Sequence, residues 1–108
     1  QRIVALVTEQ SRREMKLVQG LSVIAMIKAS SVTLAVGDDL KVSARNVLTG
    51  VLVNLDRDAV NADVTIELAG EKTLSALITN KSADQLVLAE GMVLSALFKA
   101  SSVILMVA

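Results

Sequence analysis

The chain has 108 residues, eleven basic and eleven acidic side chains, and no His, Cys, Trp, Tyr or Pro. Zero net charge removes the electrostatic basis for a nucleic-acid or anionic-membrane partner, and the missing residue types exclude Ser-His and Cys-His nucleophile pairs, thiolate or imidazole metal sites and aromatic base-stacking surfaces. The hydrophobic fraction of 53% is high for so short a chain and predicts a homo-oligomer, because a small domain cannot bury that much apolar surface alone.

The first part of the chain repeats later in the sequence. A strand pattern begins directly after Gln1-Arg2, and a shift of 71 residues gives fourteen identities within residues 1–36, including the run Lys28–Val32, which recurs as Lys99–Val103. We therefore interpret residues 1–37 as the last three strands and the helix of one unit. Residues 38–40 are predicted to be a linker and residues 41–108 a complete second unit.

The second unit is predicted to be mostly strand. Strands are expected at 47–55, 62–68, 73–79, 92–99 and 102–107, because β-branched residues are enriched there and polar or Gly-containing turns separate the runs. A short helix at 81–86 follows a cap at Thr79 or Asn80. Five strands with one helix between the third and fourth predict an all-β fold, an OB-like five-stranded Greek-key barrel in each of two tandem units, the first one partial.

The first unit is incomplete in this sequence. The counterpart of Ser43 would fall upstream of Gln1, so the chain is expected to be the C-terminal part of something longer. A half-unit without its first two strands is expected to expose sheet edges and to need further residues or a partner chain.

Four short motifs follow one another in a distinctive order. They are Ser-Ala-Arg-Asn at 43–46, Ala-Val-Asn-Ala-Asp at 59–63, Thr-Asn-Lys-Ser at 79–82 and Lys-Ala-Ser-Ser-Val at 99–103. In this order they resemble the Mop family of molybdate-binding domains, which belongs to the transport-associated OB-type (TOBE) group. Two copies resemble the tandem di-Mop arrangement of that family.

The chemistry of the motif residues agrees with an oxyanion ligand. Arg45 and Lys99 supply positive charge, while Ser43, Thr79 and Ser82 supply hydroxyl donors. No motif side chain proposed to touch the anion is a carboxylate, so hydrogen phosphate, whose proton needs an acceptor, is disfavoured. Sulfate has no such proton, and only cavity size separates it from molybdate or tungstate.

The resemblance implies binding sites formed between units or subunits. Carried over, it places the ligand contacts at Ser43, Arg45, Thr79, Ser82, Lys99, Ala100 and Ser101, and by the repeat at Thr8, Ser11, Lys28, Ala29 and Ser30. The half-unit has no Ser-Ala-Arg segment of its own, so Ser43 and Arg45 are expected to complete a site begun by Thr8 and Lys28. Both Lys-Ala segments continue with Ser-Ser, where the family often has an aromatic residue or proline.

Each assignment has a structural alternative. Lys28 and Lys99 are also typical of lysines that protect a strand edge, and the two Thr-x-x-Ser segments are typical of plain helix caps. Asn46 and Asn61 are interpreted as turn residues rather than ligands.

The resemblance implies a non-catalytic cytoplasmic protein that stores, buffers or senses molybdate, with no cofactor and no metal site other than the oxyanion. The alternatives are the ligand-sensing C-terminal half of a molybdate-responsive transcription regulator and an accessory domain of a transporter ATPase. A small OB-type nucleic-acid module is disfavoured by the zero charge and the single Phe. No nucleic-acid or membrane contact is expected from this segment, and an enzyme is disfavoured because no catalytic constellation stands out.

Overall fold

The computed structural model describes residues 2–108, which form mainly antiparallel strands. In chain order the elements are α1 (Glu9–Glu14), β1 (Val23–Ile27), a first 3-10 turn (Ala29–Ser31), β2 (Thr33–Ala35), β3 (Asn46–Arg57), β4 (Asn61–Glu67), β5 (Thr73–Thr79), α2 (Asn80–Gln85), β6 (Val93–Phe98), a second 3-10 turn (Ala100–Ser102) and β7 (Val103–Val107). The expected all-β, OB-like class is confirmed, and the strands of residues 41–108 lie within about two residues of the predicted bounds. Within residues 2–108, neither helix is long and apolar enough to cross a membrane.

Five strands form one antiparallel sheet in the order β2-β6-β3-β4-β5, and β1 pairs only with β7. Strand β3 is central because its first half pairs with β6 and its second half with β4. Its inward positions Asn46, Leu48, Gly50 and Leu52 are buried and alternate with exposed residues, as expected for a strand with one face on a core. The pairing shifts between Leu52 and Asn54, which bends the strand as it passes from one neighbour to the other.

The core lies between the inner face of this sheet and α2. Leu52, Val64, Ile66 and Ala76 are fully buried there. Ala83 of α2 is also fully buried, while Leu86 packs against the cluster from the end of the helix. Leu88, which follows the helix, is buried in the same cluster.

The two halves of the chain exchange their last strands. Strand β2 of residues 2–37 joins the sheet of residues 41–108 by pairing Thr33 with Leu97. Strand β7 leaves that sheet and pairs with β1, with Val103 opposite Ile27. The expectation that the strand at 102–107 completes the five-stranded barrel of residues 41–108 is therefore wrong. The two preceding strands end in three-residue 3-10 turns rather than the two-residue turns that fold a strand back as a hairpin, so the chain crosses to the other half.

Residues 2–8 lie against the C-terminal half without forming the strand that their sequence pattern predicts. Their repeat counterpart, β5, pairs along its whole length with β4, and residues 2–37 contain no counterpart of β4. The segment is held instead at separate points, including a 3.0 Å bond from the Leu6 N–H to the Ala100 carbonyl. A strand pattern without a neighbouring strand to pair with does not become a strand.

The tip of the β3–β4 hairpin depends on Asp58. Its Oδ1 accepts the N–H groups of Asn61 at 2.8 Å and Val60 at 3.0 Å, and these bonds lower the pKa of the Asp58 carboxyl. A lowered pKa means that the stabilisation is complete above the unfolded-chain value of about 3.9 and is lost as the pH falls through the folded-state value.

We expect Asp58→Asn to be less stable than the wild type at pH 7 and the difference to shrink below about pH 4. Denaturant unfolding of both proteins between pH 2.5 and 7 measures it. The matched control is Asp56→Asn, which removes the same charge from an exposed position of β3. A difference for Asp58→Asn that is constant over this range would contradict the role of the ionised carboxylate.

Candidate functional site

Two Thr-x-x-Ser segments have the same local geometry at the starts of α1 and α2. Thr79 caps α2 because its Oγ1 accepts the Ser82 N–H at 3.1 Å, and the same hydroxyl donates to Ser82 Oγ at 2.9 Å. Thr8 and Ser11 reproduce these bonds at 3.0 and 2.9 Å. Since each serine oxygen accepts from its threonine, the serine hydroxyl hydrogen remains available to donate to a ligand.

The two Lys-Ala-Ser-Ser segments form the 3-10 turns that follow β1 and β6. Lys28 and Lys99 precede the turns with extended backbones, and both side chains are exposed. The hydrogen bonds of each turn begin at its third residue, Ser31 in one and Ser102 in the other. The first two N–H groups of each turn, at 29–30 and 100–101, therefore have no partner within the turn and can donate to an anion.

One cavity brings Ser43 and Lys99 together. It measures about 370 Å³ and is bordered by the end of β6, the segment that precedes β3, and Ser31 and Thr33 of the N-terminal half. The strand pairing explains this arrangement, because Asn46 lies opposite Phe98 and so places 43–45 beside the end of β6. Arg45 is exposed in that segment, although it is not among the residues that line this cavity.

A second cavity brings Thr79 and Ser82 together with the exchanged strand β2. It measures about 350 Å³, and its other walls include Thr33, Ile78 and Gln85. The first 3-10 turn, which carries Ala29 and Ser30, also packs against β5, the strand that ends at Thr79. Hydroxyls of one half therefore lie beside the Lys-Ala-Ser segment of the other half.

Neither of these cavities is lined by a carboxylate. A third cavity of about 420 Å³ differs, because Asp38 and Asp39 of the linker contribute to its wall. An anion is repelled by the third cavity and meets only neutral or donating groups in the other two. Within residues 2–108, no group of three or more acidic side chains is arranged to hold a metal ion.

The structure does not gather all twelve predicted site residues at one place. Thr8 caps α1 and Ser11 lies within it, and neither residue lines the two carboxylate-free cavities. The segment that leads to them contacts the second 3-10 turn, whose Ala100 carbonyl accepts the Leu6 N–H. Ser43 shares a cavity with Lys99, and neither Thr8 nor Lys28 lines that cavity. Strand pairing decides this, because β3 runs beside β6 rather than beside β1.

Asn46 is the residue that the sequence interpretation missed. It is not a turn residue but the first residue of β3, and it is 1% exposed. Its Oδ1 accepts the Val4 N–H at 2.7 Å and its Nδ2 donates to the Val4 carbonyl at 2.8 Å. The sequence could have indicated this role, because Asn46 alternates with Leu48 on the inward face of the strand. A polar side chain on an apolar face needs a buried hydrogen-bond partner.

Comparisons with known proteins agree with this architecture. A family model of the TOBE domain matches residues 1–34 and 42–105. The chain is 46% identical over 104 residues to the molybdenum-pterin-binding protein MopA of Rhodobacter capsulatus, covering 95% of this chain and 39% of MopA. It is 38% identical to the molybdenum transport protein ModE of Azotobacter vinelandii, covering 97% of this chain and 39% of ModE. The chain thus spans about two fifths of the length of these relatives.

A solved structure shares nearly the whole fold. The molybdate-bound crystal structure of the cytoplasmic molybdate-binding protein ModG superposes with a TM-score of 0.92 at 39% identity, covering 96% of this chain and 74% of ModG. The TOBE family model matches well over half of the chain. The chain also covers 74% of ModG at 39% identity. The chain therefore belongs to the TOBE-domain family.

Proposed function

We propose that this protein binds molybdate without catalysing a reaction. The observation that carries the proposal is the pair of cavities between the two halves, whose polar side chains are hydroxyls, one glutamine and one lysine, with apolar residues between them and no carboxylate. A tetrahedral dianion without a proton requires a site made only of donors. The 39% identity to the molybdate-bound ModG structure supports molybdate as the anion, and tungstate shares its charge and shape.

The ligand contacts that we propose come from both halves of the chain. Lys99 supplies a charge and Ser43 a hydroxyl to one cavity. Arg45 lies close by in the chain, directly before β3. Thr79 and Ser82 supply hydroxyls to the other, beside the turn of Lys28, Ala29 and Ser30. By the repeat, we propose that a matching set of contacts comes from Thr8 and Ser11 together with Ala100 and Ser101.

The wider arrangement that we propose is a tandem of two Mop units, residues 1–37 and 41–108, joined by residues 38–40. The repeat and the exchange of β2 and β7 support it. We also propose a cytoplasmic homo-oligomer that takes part in molybdate storage or homeostasis, with no direct contact to nucleic acid. Exposed apolar side chains on the β1–β7 ribbon, including Ile24, Met26 and Ile104, support self-association.

A second candidate is the ligand-sensing part of a molybdate-responsive regulator. The similarity to ModE of Azotobacter vinelandii over 97% of this chain favours it. Both candidates require the same anion site. They differ in whether the bound anion is stored or is sensed by a regulator.

The proposal is tested by calorimetric titration of the whole chain with molybdate, then with sulfate and phosphate. We expect Lys99→Gln to bind molybdate about tenfold to a hundredfold more weakly, because a charge-assisted hydrogen bond contributes about 1.5–3 kcal/mol. Lys72→Gln is the matched control, since it removes the same charge from an exposed position outside both cavities. Equal molybdate affinity in Lys99→Gln and the wild type would remove Lys99 from the site, and absence of molybdate binding by the wild type would contradict the function.

A further inference from the structure

Arg57, at the end of β3, reaches across to α2. Its Nη1 forms an ion pair with Asp84 Oδ1 at 3.0 Å and donates a hydrogen bond to Asn80 Oδ1 at 3.3 Å. Arg57 therefore holds the first residue of α2 and the residue one turn later, on the side of the helix that faces the β3–β4 hairpin. Neither the oxyanion chemistry nor the core packing accounts for this arginine.

Asn80 is held from a second direction by the tip of the same hairpin. Its Nδ2 donates to the Asp58 carbonyl at 2.9 Å, and its backbone N–H donates to the Val60 carbonyl at 2.8 Å. The tip is itself fixed by the Asp58 carboxylate, which accepts the Val60 and Asn61 N–H groups. Asn80 is therefore hydrogen-bonded to the hairpin through its backbone N–H, its Nδ2 and its Oδ1.

This network is adjacent to the donors of the proposed site. Asn80 directly follows Thr79, and Ser82 lies between Asn80 and Asp84 in the same six-residue helix. Fixing Asn80 and Asp84 on the hairpin side fixes the direction in which Thr79 and Ser82 face the cavity that they share with β2.

The other Thr-x-x-Ser segment differs at the two positions that Arg57 contacts. At the position of Asn80 the N-terminal half has Glu9, whose carboxylate pairs with Arg12 and Arg13 of α1 itself. The bond to the Arg12 guanidinium lowers the pKa of the Glu9 carboxyl but links α1 to nothing outside the helix. Helix α1 buries none of its residues, whereas α2 buries Ala83.

We propose that Arg57 and Asn80 are positioning residues that preorganise Thr79 and Ser82 for the anion, so that this pair binds more tightly than Thr8 and Ser11. The inference rests on the proposed function. Donors that are already held in place lose less conformational freedom on binding, and this difference appears as affinity. The two segments have matching hydroxyl geometry and differ at the positions of Asn80 and Asp84, which are Glu9 and Arg13 in the N-terminal half.

The test follows the backbone amide signals of Ser82 and Ser11 by NMR while molybdate is added to the whole chain. In the wild type we expect Ser82 to saturate at a lower molybdate concentration than Ser11. Arg57→Gln should raise the molybdate concentration needed at Ser82 about tenfold and leave Ser11 unchanged, as expected for the loss of a residue that orients a ligand group. Arg57→Lys, which can still form an ion pair with Asp84 and donate to Asn80, should recover most of the loss.

Two further measurements separate positioning from general effects. Amide hydrogen exchange at Ser82 in the absence of anion should be faster in Arg57→Gln, because the turn is less firmly held. Lys72→Gln, with the same loss of charge, should bind at Ser82 as the wild type does.

The outcomes distinguish this inference from the function on which it rests. Absence of molybdate-dependent shifts at both serines of the wild type would overturn the proposed function and the inference with it. Wild-type binding with an unchanged response of Ser82 in Arg57→Gln would overturn the positioning role alone. An equal loss at Ser82 and Ser11 would also overturn it, since that result indicates general damage to the fold.

Discussion

Gly50→Ala is expected to destabilise the protein by about 3 kcal/mol or more, because forced overpacking of a close-packed interior costs about 1–3 kcal/mol and occasionally more. A Cβ at Gly50 would lie 2.5 Å from the Glu67 carbonyl oxygen and 2.6 Å from Ile66 Cγ2. The carbonyl belongs to the backbone of β4, so it cannot rotate away as a flexible side chain would. The added methyl must push β3 and β4 apart where β3 changes pairing partners.

Chemical denaturation of the wild type and Gly50→Ala measures the difference in the free energy of unfolding. Gly91→Ala is the matched control, because a Cβ there meets nothing within 4 Å and its cost comes only from the left-handed backbone at φ +91°. That cost is about 1–2 kcal/mol. A loss for Gly50→Ala no larger than for Gly91→Ala would show that β3 and β4 can separate at this point without penalty.

Asn46→Ala is expected to cost about 2–4 kcal/mol, since it removes two hydrogen bonds and leaves the N–H and carbonyl of Val4 without partners in a partly buried place. The Asn46 amide acts toward Val4 as the backbone of a neighbouring strand would. Its loss should release residues 2–7 as well as weaken the start of β3.

Thermal or denaturant unfolding gives the size of the effect, and hydrogen exchange at the Val4 amide shows its location. Asn54→Ala serves as the control because Asn54 is an exposed residue of the same strand, where substitutions usually change stability by about 0.5 kcal/mol or less. A Val4 amide that remains as protected in Asn46→Ala as in the wild type would contradict the assigned role.

The sequence predicted most of the strands because their pattern is local. Strand β5 was predicted with its observed bounds, and the short helix was predicted within one residue, with Thr79 as one of two candidate caps. Alternation and capping are decided within a few residues, so they can be recognised without knowing the partners. Residues 2–8 were predicted wrongly for the same reason, since their pattern is local but a strand requires a neighbour.

The local turns that carry the candidate site residues could be predicted from the sequence, whereas their arrangement in space could not. The Lys-Ala-Ser and Thr-x-x-Ser segments form donor-presenting turns. The sequence could not show that Lys99 shares a cavity with Ser43, or that Thr79 borders β2, because both depend on which strand crosses from one half to the other. The role of Asn46 also depends on a partner 42 positions away in the chain.

The exchange of β2 and β7 changes what the linker contributes. Strand β2 pairs with β6 of the other half, and β7 pairs with β1, so the halves are interlocked by two ladders as well as by residues 38–40. The covalent link then mainly raises the effective concentration of one half near the other. A chain cut within the exposed linker would still be held together as a noncovalent pair of fragments, and neither fragment could melt without opening a ladder that belongs to the other.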